Sequence, residues 1–325
     1  MQDFWHDLPR PFFILAPMEA VTDVVFRHVV AKAGAPDIWF SEFTNATGWA
    51  HAGDRAIGGR LIKTVDENPI VAQLWGSDPA SMEKLARHCV ELGYDGIDIN
   101  MGCPDSSAVK SGGGAGMILN PENAAAIIAA AKTSGLPVSV KTRLGYSRTD
   151  EWHDWLAHIL KQDVTNLTIH LRTKKEMSKV PAHFELIAEI KKLRDEIAPD
   201  TLLTINGDIR DRAHGLELVE QYGVDGVMIG RGVFANPFAF EHAPQKSGVS
   251  ESNSRIHDRL DLLKLQLDLY DQYHAQTGRP FETLKRFFKI YIRDFAGASE
   301  LRDKLMHAKS TDEVRALLSE EISTA

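Results

Sequence analysis

The stretch Phe12-Phe-Ile-Leu-Ala-Pro-Met-Glu-Ala20 decides between two folds. It opens on an unbroken apolar run, as a strand covered on both faces must. The turn that follows is Pro17-Met-Glu19, without glycine. A doubly wound sheet that binds a dinucleotide would carry Gly-x-Gly-x-x-Gly at this point. Counting this first run (12–16), eight β-type runs recur, the others at 38–43, 70–75, 96–100, 138–142, 166–170, 202–206 and 226–230. Amphipathic segments lie between them at 80–92, 123–131, 184–197 and 212–222; in the first of these Met82, Leu85, Ala86, Cys89 and Val90 keep helical spacing. Eight strands alternating with helices over about 240 residues predict an α/β fold, a (β/α)8 TIM barrel.

After residue 243 the pattern stops. Residues 244–254 are small, polar and turn-forming, and read as a linker. Beyond them the period is helical, notably at 255–277, 280–295 and 311–322, so a small all-α helical domain of three or four helices is expected over 255–325. The balance of 43% hydrophobic and 25% charged residues in a chain of 325 suits a large buried core and excludes disordered or collagen-like classes. With two cysteines, Cys89 and Cys103, neither a disulfide scaffold nor a thiolate metal site is expected. The opening Met-Gln-Asp-Phe-Trp-His-Asp has no signal-peptide pattern, and no apolar run reaches a membrane-spanning length. A cytoplasmic monomer is the expectation.

In a barrel, side chains that follow each strand face the catalytic mouth. The polar residues there are Glu19 (beside Pro17 and Met18), Gln73, Asn100, Cys103, Lys141, Arg143, His170, Arg172, Asn206, Asp208 and Arg231. Asn206-Gly-Asp208 and Gly230-Arg-Gly232 follow the seventh and eighth strands, where barrels commonly bind phosphate through glycine backbone and a guanidinium. Lys141 lies among β-branched residues and must point into the mouth or be desolvated. There it can hold developing negative charge, such as that on the N1/O2 edge of a reduced flavin, and His170 can donate to the same edge. Cys103, between Gly102 and Pro104 on a loop, suits a nucleophile or proton donor. Cys89 sits on an apolar helix face and reads as structural. The run Ser111-Gly-Gly-Gly-Ala-Gly116 reads as a mobile lid.

Seven ordered motifs carry a resemblance. They are Ala16-Pro-Met-Glu-Ala-Val-Thr-Asp with Phe26-Arg27, Gln73-Leu-Trp-Gly-Ser-Asp-Pro, Asp98-Ile-Asn-Met-Gly-Cys-Pro, Val140-Lys-Thr-Arg-Leu-Gly, His170-Leu-Arg-Thr, Asn206-Gly-Asp-Ile and Gly230-Arg-Gly. The chain resembles the tRNA-dihydrouridine synthase family. The resemblance implies an FMN-bearing barrel over 1–243, a helical tRNA-binding domain over 255–325, and NADPH as reductant. It also implies that Pro17, Met18, Glu19, Gln73, Lys141, His170, Asn206, Gly207, Asp208, Gly230 and Arg231 hold FMN. On the substrate side it implies Asn100 at the uracil and Cys103 as the proton donor; Arg143 and Arg172, basic residues at the mouth, are the further substrate candidates. Two departures stand out: Ala20 where the family usually has glycine, and Asp105-Ser-Ser-Ala-Val where it usually has a basic residue.

The net charge of −8 falls wholly on residues 1–243, since the rest balances at 13 basic and 13 acidic residues. Local clusters run against that total. Lys110, Arg143, Arg148, Arg172, Lys174, Lys175 and Lys179 follow strands on the mouth side, and Arg279, Lys285, Arg286, Lys289 and Arg293 cluster in the tail. Two basic areas on an acidic chain fit an RNA track. The rival reading is a flavin barrel that acts on a free small molecule of the dihydropyrimidine type, which leaves the tail without a purpose.

Overall fold

The computed structural model of the chain describes residues 3–242 and 249–324. Its strands are β1 (Phe12–Leu15), β2 (Trp39–Phe40), β3 (Thr44–Asn45), β4 (Ile70–Trp75), β5 (Gly96–Met101), β6 (Val138–Arg143), β7 (Asn166–His170), β8 (Leu202–Asn206) and β9 (Gly226–Ile229). All pairings are parallel, in the order β1-β9-β8-β7-β6-β5-β4-β2. Between β1 and β2 the ring is closed by a bridge from Ile14 to Ile38 and by the Asp37 N–H on the Phe13 carbonyl at 2.8 Å. This is the expected TIM barrel. The second run, 38–43, is interrupted. At Ser41 the hydroxyl oxygen accepts from the Gln73 N–H (3.0 Å), which replaces a ladder bond, and pairing to β4 resumes only at Thr44.

Helices cover the outside of the ring. Helix Pro79–Glu91 is capped by Asp78, whose carboxylate accepts from the Ser81 N–H at 2.9 Å. It buries Met82, Leu85, Ala86 and Cys89. Each large side chain so buried is worth about 1.5–3 kcal/mol. Complete burial pushes the Cys89 thiol far up, so it packs as a small apolar group.

The C-terminal region is helical: Val249–Thr277, Phe281–Phe287 as a 3-10 turn, Phe288–Tyr291, Ala298–His307 and Thr311–Thr324. Of the expected linker, residues 244–248 lie outside the described residues, and the first helix begins at Val249. The expected helix over 280–295 is not continuous. Leu284, Phe287, Phe288, Ile290, Tyr291 and Ile292 are all buried, more than one helical stripe can cover, and the chain turns out of helix at Ile292. The helices are not a free appendage. Helix Val249–Thr277 packs on Val24–Ala33, Phe26 stacks on Phe287 at 4.9 Å, and both regions share one apolar core.

Candidate active site

The carboxyl ends of the strands open on two cavities. The larger, about 670 Å³, is lined by Pro17, Met18, Lys141, His170, Asn206, Gly207, Asp208, Gly230 and Arg231 among others. These are nine of the eleven residues expected around FMN. Glu19 instead lines a second cavity, of about 430 Å³, beside Cys103, where it pairs with Arg60. Gln73 is fully buried under the mouth.

Charge in the larger cavity is organised by Asp208. Its carboxylate accepts from Nη2 of Arg172 on one side and from Nη2 of Arg231 at 3.2 Å on the other, and also from the Ala182 N–H at 3.0 Å. Burial opposes its charge, yet these partners hold it below the usual carboxylate range. Arg172 is buried and also donates to the carbonyl of Val180 (2.7 Å) and to Nε2 of His170 (3.1 Å). Because Arg172 can only donate, Nε2 is an acceptor and Nδ1 carries the proton. Desolvation and then the cations Arg143, Lys141, Arg172 and Arg231 hold His170 well below its ordinary pKa, so the ring is neutral. Nζ of Lys141 donates to Oδ1 of Asn206 (3.2 Å), while Nδ2 of Asn206 donates to the Met228 carbonyl (2.8 Å). Burial and then Arg143 push Lys141 down to about 8. Gly207 has φ +118°, and a Cβ there would come within 3.1 Å of the His170 ring. The wall at this point has to be bare backbone.

Cys103 is half-buried, and burial pushes its thiol up, so it is protonated at neutral pH. Its loop is tied at several points. Oδ1 of Asn100 accepts from the N–H groups of Gly102 (3.1 Å) and Cys103 (2.8 Å). Nε of Arg143 donates to the Gly102 carbonyl at 2.7 Å. Asn100 and Arg143, expected to face substrate, are buried, and their remaining donors are also taken: Nδ2 of Asn100 by Gln73, and Nη1 of Arg143 by the carbonyls of Thr173 and Met177; Arg172 is buried against His170 and Asp208 of the other cavity. The glycine run is not a lid. A Cβ on Gly113 would sit 2.8 Å from the Trp75 ring and one on Gly114 2.7 Å from the Cys103 carbonyl, and the Ala115 N–H donates to that carbonyl at 2.9 Å. Glycine here permits close packing under the cysteine loop.

The family model for dihydrouridine synthase (Dus) matches residues 14–325. The chain belongs to the dihydrouridine synthase family. It is 61% identical over 320 residues to the probable tRNA-dihydrouridine synthase 2 of Bacillus subtilis (strain 168), covering 98% of this chain and 96% of the relative. It is 57% identical over 320 residues to the probable tRNA-dihydrouridine synthase of Staphylococcus aureus (strain Mu50), covering 98% and 95%. Among solved structures, a morphinone reductase mutant in complex with tetrahydroNAD aligns with TM-score 0.50 at 13% identity, covering 71% of this chain and 86% of the other. A 2-naphthoyl-CoA reductase complex aligns with TM-score 0.51 at 11% identity, covering 70% and 49%. These two likenesses are of fold.

Of the departures from the family pattern, one has a backbone explanation. Ala20 adopts φ +57°, a left-handed conformation that glycine enters without strain. In this chain Asp105 takes the other departure, capping helix Ser106–Lys110 with its carboxylate on the N–H groups of Ser107 (2.8 Å) and Ala108 (3.3 Å). Sequence reasoning missed Arg60 and Trp75, which line the Cys103 cavity. Trp75 ends β4 and so held a mouth position; Arg60 comes from a 3-10 turn that no strand periodicity marks.

Proposed function

We propose that this chain reduces uridine in tRNA to 5,6-dihydrouridine, with FMN in the larger cavity and NADPH as reductant. The observation that carries the reading is the pair of cavities at the carboxyl ends of the strands, one with Lys141, His170 and Arg231, the other with a protonated Cys103. The residues fit the flavin. A volume of about 670 Å³ falls in the range of cofactor sites, Gly207 keeps the wall bare, and Lys141 and Arg231 offer positive charge. Bound FMN, once reduced by NADPH, would supply hydride to C6 of the uracil.

Everything else is asked of the protein. Lys141 neutralises negative charge at the flavin ring and neutral His170 donates from Nδ1. Arg231, steadied by Asp208, pairs with the phosphate. Pro17, Met18, Gly230 and Asn206 shape the walls, and Gln73 supports the floor. On the substrate side the Cys103 thiol gives its proton to C5, a role that needs a neutral acid near the operating pH. Asn100 and Arg143 serve the substrate by holding the Cys103 loop, and Glu19 with Arg60 borders the base. Removing a uridine from its stack costs a few kcal/mol, least in a loop. The helices of the tail and the exposed Lys110, Lys175 and Lys179 would follow the tRNA backbone. We assign catalysis to residues 1–243 and tRNA binding to 255–325, in a chain that acts as a monomer in the cytoplasm.

The test is direct. The purified protein should be yellow, release FMN on denaturation, oxidise NADPH, and form dihydrouridine in tRNA that lacks it. A colourless protein that ignores added FMN would overturn the reading. Turnover of free pyrimidines as fast as of tRNA would favour a small-molecule reductase instead.

A further inference from the structure

Beneath the two cavities runs a one-way series of hydrogen bonds. The N–H groups of Gly102 and Cys103 donate to Oδ1 of Asn100, and Nδ2 of Asn100 donates to Oε1 of Gln73 at 3.0 Å. Nε2 of Gln73 then donates to Oδ2 of Asp98 at 2.7 Å. From the other side the Ser139 hydroxyl donates to Oδ1 of Asp98 at 2.6 Å. Asp98, Gln73 and Ser139 are fully buried, so each amide has a single orientation. Two backbone donors demand the oxygen of Asn100, which turns its nitrogen to Gln73, which turns the Gln73 nitrogen to Asp98. Only an acceptor can end such a series. Burial pushes the Asp98 carboxyl up to about 6, against the pull of Ser139, Gln73 and Lys141.

We propose that Asp98 is a positioning residue for the Cys103 thiol, acting through Gln73 and Asn100 to hold the two N–H groups of the cysteine loop in register. Arg143 and Ala115 fasten the carbonyls of Gly102 and Cys103, whereas Asn100 fastens their N–H groups. Without an acceptor at 98 the Gln73 amide is free to turn over, and Asn100 with it. The catalytic part of this inference rests on Cys103 being the proton donor.

Two variants separate the role from general support of the fold. In Asp98→Asn the amide oxygen faces Gln73 and the nitrogen faces Ser139, whose hydrogen turns to the Ile97 carbonyl 3.4 Å away. Asp98→Leu offers no acceptor. Two readouts are taken on the holoenzyme: reoxidation of reduced flavin by tRNA, and alkylation of Cys103 by iodoacetamide, with buried Cys89 silent. Asp98→Leu should slow reoxidation by roughly 10- to 100-fold, as a displacement of about 1 Å does, and speed labelling of Cys103. Asp98→Asn should match wild type in both. Wild-type behaviour of Asp98→Leu overturns the proposal, and so does an Asp98→Asn as impaired as Asp98→Leu. If Asp98→Leu does not fold, Asn100→Asp decides. An aspartate at 100 cannot donate to Gln73, but adding Asp98→Asn lets the middle amide reverse and restores every bond. Return of slow Cys103 labelling in the double variant supports the relay, and no return overturns it. Should wild-type flavin not be reoxidised by tRNA, the functional reading fails while the labelling still decides the relay.

Discussion

Glu42, completely buried behind the barrel mouth, takes both of its hydrogen bonds from Nη2 of Arg279 in the tail, at 2.7 and 2.9 Å. Barrel and tail thus share a buried ion pair across 237 residues of sequence. Burial outweighs the attraction of Arg279 and keeps the Glu42 carboxyl above its ordinary pKa.

Removing one partner of such a pair should cost about 3–5 kcal/mol, because the other is left buried and unpaired. Arg279→Met is expected to lower the melting temperature by several degrees, and Glu42→Gln in the same chain to recover most of the loss. The sign with pH follows from the raised carboxyl. The folded chain holds this proton more tightly than the unfolded chain, so its stability contribution falls as pH rises through the carboxylate range. Without Arg279 the folded pKa rises further, and the defect should be large at pH 8 and small at pH 5. An Arg279→Met melting temperature that tracks wild type at every pH would refute the pair's role.

Lys141 sets a second dependence, in the opposite direction of shift. Burial and Arg143 push it down to about 8, so it carries its charge at pH 7 and loses it by pH 9.5. Without ligand, the unfolded chain binds the extra proton between about 8 and 10.4, and stability from this group rises with pH over that window. Binding of a flavin ring edge that accepts a hydrogen bond from the charged lysine runs the other way. FMN affinity should fall roughly 10- to 100-fold from pH 7 to 9.5, the worth of one charge-assisted hydrogen bond. Lys141→Gln should bind weakly at both. Flavin fluorescence titrations measure this, and an equal Kd at both pH values in the wild type would remove Lys141 from the site.

How much of this was legible can be judged residue by residue. Lys141, His170, Asn206 and Gly230 were readable because strand ends in a barrel converge on one mouth, so a linear periodicity fixes a spatial cluster. Asp98 carried a signal too: a charge inside Ile97-Asp-Ile99 has to point into the barrel and find donors. What it accepts from, Gln73 and Ser139, lies on two other strands and is a product of register alone. The glycine run 111–116 misled because composition cannot tell flexibility from close approach; the Trp75 ring and the Cys103 carbonyl make the difference. In the tail, 280–295 shows an apolar period that suits one helix, yet its aromatic residues face several neighbours and break it.

The tail's basic residues now divide by what they already hold. Arg293 pairs with Asp294 at 2.8 Å and donates to the Ala235 carbonyl at 2.7 Å, so it fastens the tail to the barrel. Lys289 is exposed, and Lys285 rests over the Phe281 ring, both on a groove of about 490 Å³. Replacing Lys285 and Lys289 by alanine should weaken tRNA binding across sequences and flatten the logarithmic salt dependence by about 1.5, near 0.7–0.9 per lost phosphate contact. Arg293→Gln should lower stability and leave the salt slope alone. A double lysine variant with the wild-type slope would make this groove a packing feature only.

The last prediction concerns the thiol itself. Cys103 is half-buried, and desolvation raises its pKa against the pull of the Asp105 N–H, Lys141 and Arg143. The neutral thiol therefore persists through pH 7, as a proton donor must, and no thiolate chemistry is called for. Cys103→Ala should retain FMN and be reduced by NADPH at the wild-type rate, since neither process uses this side chain. Reoxidation by tRNA should drop by about 10² to 10⁴, the usual worth of a positioned acid. In the wild type that rate should not fall between pH 6 and 7, since the thiol stays protonated there. Cys89→Ala, in the core of helix Pro79–Glu91, should cost stability and leave reoxidation intact. If Cys103→Ala is reoxidised by tRNA as fast as wild type, the proton at C5 comes from another group, and the second cavity has a different purpose.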